Sequence, residues 1–273
     1  MRAASRATYK AAAEKLDGVA RSSDPAAIAT VGDELLSVAD LLGREPRLRR
    51  AVADPARGGA DRASLLDGLL ADRVNADTRS VLGVVATGRW SGTGELLDGV
   101  EQLGIDALLA SADGAGDLSE VEDELFRFGQ VVDGTPELAA ALGDVTVAPS
   151  TRMTLVDSLL DGKAKPITVR LAKLALAGFG GRTFAGGLTR LVEVAADRRN
   201  RQVAYVTVAK ILSEADEQRL GARLAQMYGR EVALKVTVDP AVLGGVRVLI
   251  GSDLYDGTIL RRLTDARHAL SGK

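Results

Sequence analysis

VALKVTVDPAVLGGVRVLIGSDLYDGTILRRLTDARHAL, running from Val232 to Leu270, decides the fold of the C-terminal end and gives the frame for the rest of the chain. Val232, Leu234, Val236 and Val238 alternate with Ala233, Lys235 and Thr237, a period of two that predicts a strand with one buried face and Lys235 on the other. Asp239-Pro240 stops that strand. After Gly244-Gly245, Val246, Val248 and Ile250 return on one face with Arg247 opposite. Gly251-Ser252-Asp253 predicts a turn and Leu254-Tyr255 a last short strand. Asp256-Gly257 then offers flexible turn chemistry, and Ile259, Leu263, Ala266 and Leu270 at helical spacing predict a closing helix.

Upstream of this stretch, Val203 to Val208 reads as another strand. Ser213 with Asp216 three residues on caps a helix whose expected buried stripe is Leu220, Leu224 and Met227, ending at Gly229. Strand, helix, strand, hairpin and helix make a small α/β domain over 202–273, one sheet face lying under its helices.

Everything before residue 202 has helical periodicity. Tyr9, Ala12, Leu16 and Val19 form a first apolar stripe, although Arg2, Ser5, Arg6 and Lys10 ahead of the first acid also imitate a transit peptide. Asp24-Pro25 is a helix start followed by Ile28, Val31, Leu35, Val38 and Leu42, with Gly43 as the expected stop. Leu48 and Val52, then Leu65, Leu66, Leu69 and Leu70, then Val81, Val84 and Val85, then Leu96, Leu97, Val100, Leu103 and Ile105 complete a six-helix bundle over 1–110. Residues 111–118 read as a linker. Ser119 and Glu122 then suggest a capping box for a helix that buries Val121, Leu125, Phe128 and Val132, opening a second helical segment over 119–201.

That segment repeats the first. A shift of 90 residues sets Glu34-Leu35 on Glu124-Leu125, Pro46 on Pro136, Leu48 on Leu138, Ala51 on Ala141 and Asp54 on Asp144. It also sets Leu65 on Leu155, Asp67 on Asp157, Leu69-Leu70 on Leu159-Leu160 and Thr78 on Thr168, a register that points to duplication of 34–104. The predicted fold is mostly α: a six-helix bundle, a related second helical segment and a small C-terminal α/β domain with a β-hairpin.

Composition narrows the function. The chain has 273 residues, 46% of them apolar and only 3% aromatic, the profile of helices packed through Ala, Leu and Val. A net charge of −2 supplies no basic field for nucleic acid or anionic lipid. The absence of cysteine removes disulfides and thiolate chemistry, and one histidine, His268, cannot build a histidine metal site. No apolar run reaches the ~18 residues needed to span a bilayer.

Each chemical motif has a plainer explanation. The clusters Gly92-Thr93-Gly94, Gly114-Ala115-Gly116 and Gly178-Phe179-Gly180-Gly181 lack the preceding strand and complete spacing of a phosphate loop. Glu120, Glu122, Asp123 and Glu124 suit the first turn of a helix, and Arg198, Arg199 and Arg201 its last. Neither catalytic, cofactor-binding nor metal-ligating residues are assigned.

Val238, Asp239, Val242, Gly244, Gly245, Val246, Val248, Gly251, Asp256 and Gly257, with a basic helix behind them, resemble the C-terminal signature of the F-type ATP synthase delta subunit, whose mitochondrial counterpart is the oligomycin-sensitivity-conferring protein. Leu249 departs from that pattern, which usually carries a polar residue there. The resemblance implies a non-catalytic stator subunit without cofactor, one copy per complex, at the cytoplasmic face of a bacterial plasma membrane. It implies that the N-terminal bundle receives N-terminal helices of the alpha subunits and that the C-terminal domain engages b-type stalk helices, with the signature residues as structural or stalk-interface positions. A helical scaffold of another multisubunit complex is the alternative.

Overall fold

The computed structural model describes residues 1–242 and 244–258; the expected closing helix and His268 lie outside the described residues. Among the described residues there are twelve α-helices and one four-stranded sheet. They group into two compact units that interleave along the chain: Met1–Val121 with Ala140–Gly187, and Glu122–Ala139 with Leu188–Lys273. The chain passes between the units more than once.

In the first unit, α1 (Ala3–Ser22), α2 (Pro25–Arg44), α3 (Pro46–Ala53), α4 (Gly59–Leu70), α5 (Ala76–Thr87) and α6 (Thr93–Gly114) form the anticipated bundle. The Asp24 carboxylate accepts from the Ala27 amide at 2.8 Å and Pro25 begins the helix, so α2 starts where its cap predicts. Ile28, Val31, Leu35, Val38 and Leu42 are all buried in the common core, and α6 is the helix against which α2 packs most extensively. Gly43 does not end α2, which runs one residue further to Arg44.

Small residues set the closest approaches. A Cβ on Gly32 would meet the Leu108 side chain at 2.8 Å, and one on Gly99 would meet the Trp90 ring at 2.3 Å. The outer edge of the Trp90 ring thus packs against α6 at Gly99, and its indole N–H donates to the Val85 carbonyl at 2.9 Å. On α4 the buried positions are Arg62, Leu66 and Leu70, while Leu69 faces solvent, because only every fourth residue reaches the core there.

Residues 111–114, expected as linker, continue α6. Ser111 and Ala112 are buried and the Ser111 hydroxyl donates to the Pro25 carbonyl at 2.7 Å, which holds the helix as far as Gly114. The turn is only Ala115 to Asp117.

Arg62 is the bundle's buried cation. Its Nε donates to the Ala86 carbonyl at 2.9 Å, Nη1 to Asp54 and Arg57 and Nη2 to Thr87 and Gly88, so every guanidinium donor meets a backbone oxygen at 2.7–3.0 Å. Carbonyls at the C-terminal end of α5 carry partial negative charge that replaces a counter-ion. Arg62→Ala is expected to cost about 3 kcal/mol, because it strands buried carbonyls; a urea titration followed by circular dichroism would show it, and a loss below about 1 kcal/mol would contradict it.

The second helical segment consists of α7 (Leu118–Asp133), α8 (Pro136–Gly143), α9 (Pro149–Leu160), α10 (Pro166–Ala177) and α11 (Phe184–Arg198). The bounds of α8, α9 and α10 are those of α3, α4 and α5 shifted by 90. Their buried positions shift equally: Val52 and Leu142, Leu66 and Val156, Thr78 and Thr168, Val81 and Leu171, Val85 and Ala175. Even the turn after the first short helix is copied. Asp54 accepts from the Ala56 amide at 2.9 Å, and Asp144 from the Thr146 amide at 2.8 Å.

The same offset maps α1 onto α6. That helix buries Leu96, Val100, Leu103, Ala107 and Ala110 in the first core, and buries Ile105, Leu108, Leu109 and Ala112 as well. Within the first unit α10 packs on α6, and the Gly180 amide donates to the Glu101 carboxylate at 2.9 Å. One helix serves both copies.

In the second unit, β1 (Arg201–Val208), α12 (Glu214–Tyr228), β2 (Glu231–Val238), β3 (Val246–Ile250) and β4 (Asp253–Asp256) give the sheet order β2-β1-β3-β4. β1 and β2 are parallel across the α12 crossover; β3 is antiparallel to both β1 and β4. Ala204, Val206, Val208, Val232, Val248 and Ile250 bury one face with Leu224 of α12, whereas Met227, expected in that stripe, is exposed.

Candidate partner-binding surfaces

The ten signature residues lie together around the β2–β3 connection and the β3–β4 hairpin, and most of them have a folding task. The Asp239 amide donates to the Val208 carbonyl at 2.8 Å and its carboxylate accepts from the Ala241 amide at 2.9 Å, so Asp239 turns the chain off the end of β2. Val242 is buried beneath that turn, and Val238 is exposed at the end of the strand. Gly244 and Gly245 have φ of 107° and 86°, a region that glycine enters without strain.

Gly245 has a second constraint. A Cβ there would stand 2.4 Å from the Gly257 carbonyl oxygen and 2.8 Å from the Thr258 Cα, so two glycines pack backbone on backbone. The Gly257 amide closes the contact by donating to the Val246 carbonyl at 2.9 Å. Asp256 accepts from the Thr258 amide at 3.1 Å and pairs with Arg247 at 3.4 Å, while Gly251 turns β3 into β4 and Val248 enters the core. The signature builds a hairpin and locks it.

Beside it, a cavity of about 630 Å³ opens at the C-terminal ends of β1 and β2, between Lys210, Ile211 and Ser213 on one side and Val242 and Gly245 on the other. Ile211 is 82% exposed at its rim. Leu249 and Leu254, opposite one another on β3 and β4, are also exposed. Leu249 is the residue that departs from the family pattern, and its exposure fits a position that can be polar elsewhere.

One expectation about this sheet fails. Lys235, anticipated on a solvated face, is 4% exposed. Its ammonium contacts the Glu122 carboxylate at 2.7 Å and Asp123 at 2.6 Å, and lies 5.6 Å from the Phe126 ring centre. Glu122, expected in a capping box with Ser119, is instead buried and also pairs with Arg199 at 3.1 Å; α7 starts one residue before Ser119. Gln130 of the same helix donates to Thr237 Oγ1 at 2.9 Å, and Phe126 meets the Tyr205 ring. Burial, and then the carboxylates of Glu193 and Glu122, push the Tyr205 phenol well above its ordinary range, leaving it a neutral hydroxyl. Both faces of this parallel pair are therefore covered, the usual condition of parallel strands.

The remaining motifs fall to structural tasks. Gly92 precedes α6, and Gly178 ends α10 in the left-handed conformation, joining helices as the sequence suggested. Arg201 pairs with Glu231 at 3.2 Å. No group of three or more metal-ligating side chains occurs among the described residues, and no described helix is long and apolar enough to cross a membrane. In the first unit a cleft of about 280 Å³ separates α4 from α5, lined by Ala63, Leu66, Leu70, Leu82 and Gly83.

The model of the ATP synthase delta (OSCP) subunit family matches residues 106–270. The chain belongs to that family. It is 61% identical to the ATP synthase subunit delta of Salinispora arenicola across 98% of both chains, and 42% identical to that of Streptomyces griseus across the full length of both. The subunit of Beutenbergia cavernae is 38% identical, again over both whole chains. The family model begins within α6, so the second helical copy and the α/β unit carry the likeness to the family at large, and residues 1–105 precede it.

Proposed function

We propose that this protein is the delta subunit of an F-type ATP synthase, a non-catalytic part of the peripheral stalk that keeps the catalytic head from turning with the rotor. The observation that carries the reading is likeness along essentially the whole chain to proteins named ATP synthase subunit delta. A surface of helix grooves and short sheet edges suits a protein that holds others.

N-terminal helices of the alpha subunits would lie in a groove of a helical module, burying their apolar faces between Ala- and Leu-rich helices. The first bundle was the expected seat. The family match, which starts at residue 106, favours the second copy. The C-terminal α/β unit would engage the b-type stalk helices through the surface built by Val238 to Gly257, where Ile211, Leu249 and Leu254 offer exposed apolar side chains. One copy of this chain per complex, at the cytoplasmic face of the membrane, completes the proposal.

Co-sedimentation with the isolated head tests the reading. One-to-one binding that disappears when the alpha-subunit N-terminal segments are removed is the expected result. An intact head that does not bind would leave a scaffold of another complex as the better account.

A further inference from the structure

Among the described residues of the second unit, Ile211 is the large apolar side chain left most open to water, at the rim of the cavity where β1 and β2 end. Leu212, Pro240 and the buried Val242 continue that lining inward. An apolar hollow with an isoleucine standing free at its mouth is a surface without a cover.

Position and charge both point to one cover. The described chain reaches Thr258, which is buried, and its Cα lies 2.8 Å from where a Cβ on Gly245 would stand. Gly245 lines the cavity, so residue 259 begins at its edge. Ile259, Leu263, Ala266 and Leu270 follow at helical spacing. A helix over 259–270 would extend about 18 Å, whereas the end of β1 that leads to Ile211 pairs with the start of β3 beside Gly245, one strand spacing of about 5 Å away. Residues 259–270 also carry Arg261, Arg262 and Arg267 against Asp265 alone. The first turn of α12 offers them Glu214, Asp216 and Glu217, and Asp216 itself lines the cavity, opposed there by Lys210. The other open apolar pair, Leu249 and Leu254, shares its face with Arg247 and Asp256, which already neutralise one another at 3.4 Å.

We propose that the chain's own residues 259–270 seat in this cavity, Ile259 and Leu263 against Ile211 and Val242, and keep it closed until a stalk helix takes their place. The seat follows from the cavity and the segment alone. The displacement rests on the stator reading, in which Ile211 is offered to the stalk, because one isoleucine cannot be covered by two helices at once.

The chain contains no cysteine, so an introduced pair reports a single contact. Ile211→Cys/Leu263→Cys in the full chain, oxidised with copper phenanthroline, is expected to form its intrachain disulfide about tenfold faster than Leu254→Cys/Leu263→Cys, because the bond needs Cβ atoms within about 4 Å of each other. Saturating b-type stalk subunit, its binding confirmed by co-sedimentation with the reduced variant, is expected to slow the first cross-link about tenfold. Equal rates in the two pairs, or a faster Leu254 pair, overturn the seat. Cross-linking that bound stalk subunit does not slow overturns the displacement. A stalk subunit that fails to bind the unaltered chain is a different result, and removes the stator reading itself.

Discussion

Lys235→Met is expected to destabilise the C-terminal unit by about 3 kcal/mol. The Lys235 ammonium is the shared partner of Glu122, which is 1% exposed, and of Asp123. Methionine fills the same space but leaves a buried carboxylate with Arg199 alone, on the opposite side from the lost charge. Breaking one side of a buried pair costs far more than the pair contributes, because the remaining charge has already lost its water. Removing both charges in Lys235→Met/Glu122→Leu should therefore restore a large part of the loss. Hydrogen exchange of the β1 and β2 amides measures the effect where it arises. A single variant within about 0.5 kcal/mol of the parent, or a double variant no better than the single, would contradict this account.

Gly245→Ala should be comparably damaging for a different reason. The added methyl meets the Gly257 carbonyl at 2.4 Å, and the backbone sits at φ 86°, where an L side chain is strained before any contact is counted. Together these are expected to cost about 3 kcal/mol and to open the β3–β4 hairpin. Gly251→Ala is the comparison. Its φ is also positive, at 56°, but the nearest atom to an added Cβ is 3.8 Å away, so only the conformational cost of about 1 kcal/mol remains. Equal losses at the two positions would show that the backbone contact with Gly257 contributes nothing.

The sequence disclosed most where a single local rule was enough. Asp24-Pro25 and the stripe from Ile28 to Leu42 gave α2 to within two residues, because cap and period agree. The 90-residue register, read from a proline, aspartates and leucines, reappears in the helix bounds of both copies. The hairpin of the signature was visible in its glycines, although their backbone contact was not.

What escaped was set by distant neighbours. Lys235 had the alternation of a solvated face, and nothing within ten residues announces that Glu122 and Asp123, more than a hundred positions earlier, would cover it. Glu122 satisfied a capping rule that Ser119 could not complete, because Asp117 accepts the first helical bond, from the Val121 amide at 2.9 Å. Residues 111–114 are rich in small and polar side chains and still continue a helix, since the Ser111 hydroxyl bonds back to Pro25.

Three peptide bonds carry the chain from one compact unit to the other: Val121 to Glu122, Ala139 to Ala140, and Gly187 to Leu188. Each falls inside a helix, α7, α8 or α11. Each unit is therefore assembled from two separate stretches of the chain, and neither can be excised as one uninterrupted piece without cutting a helix.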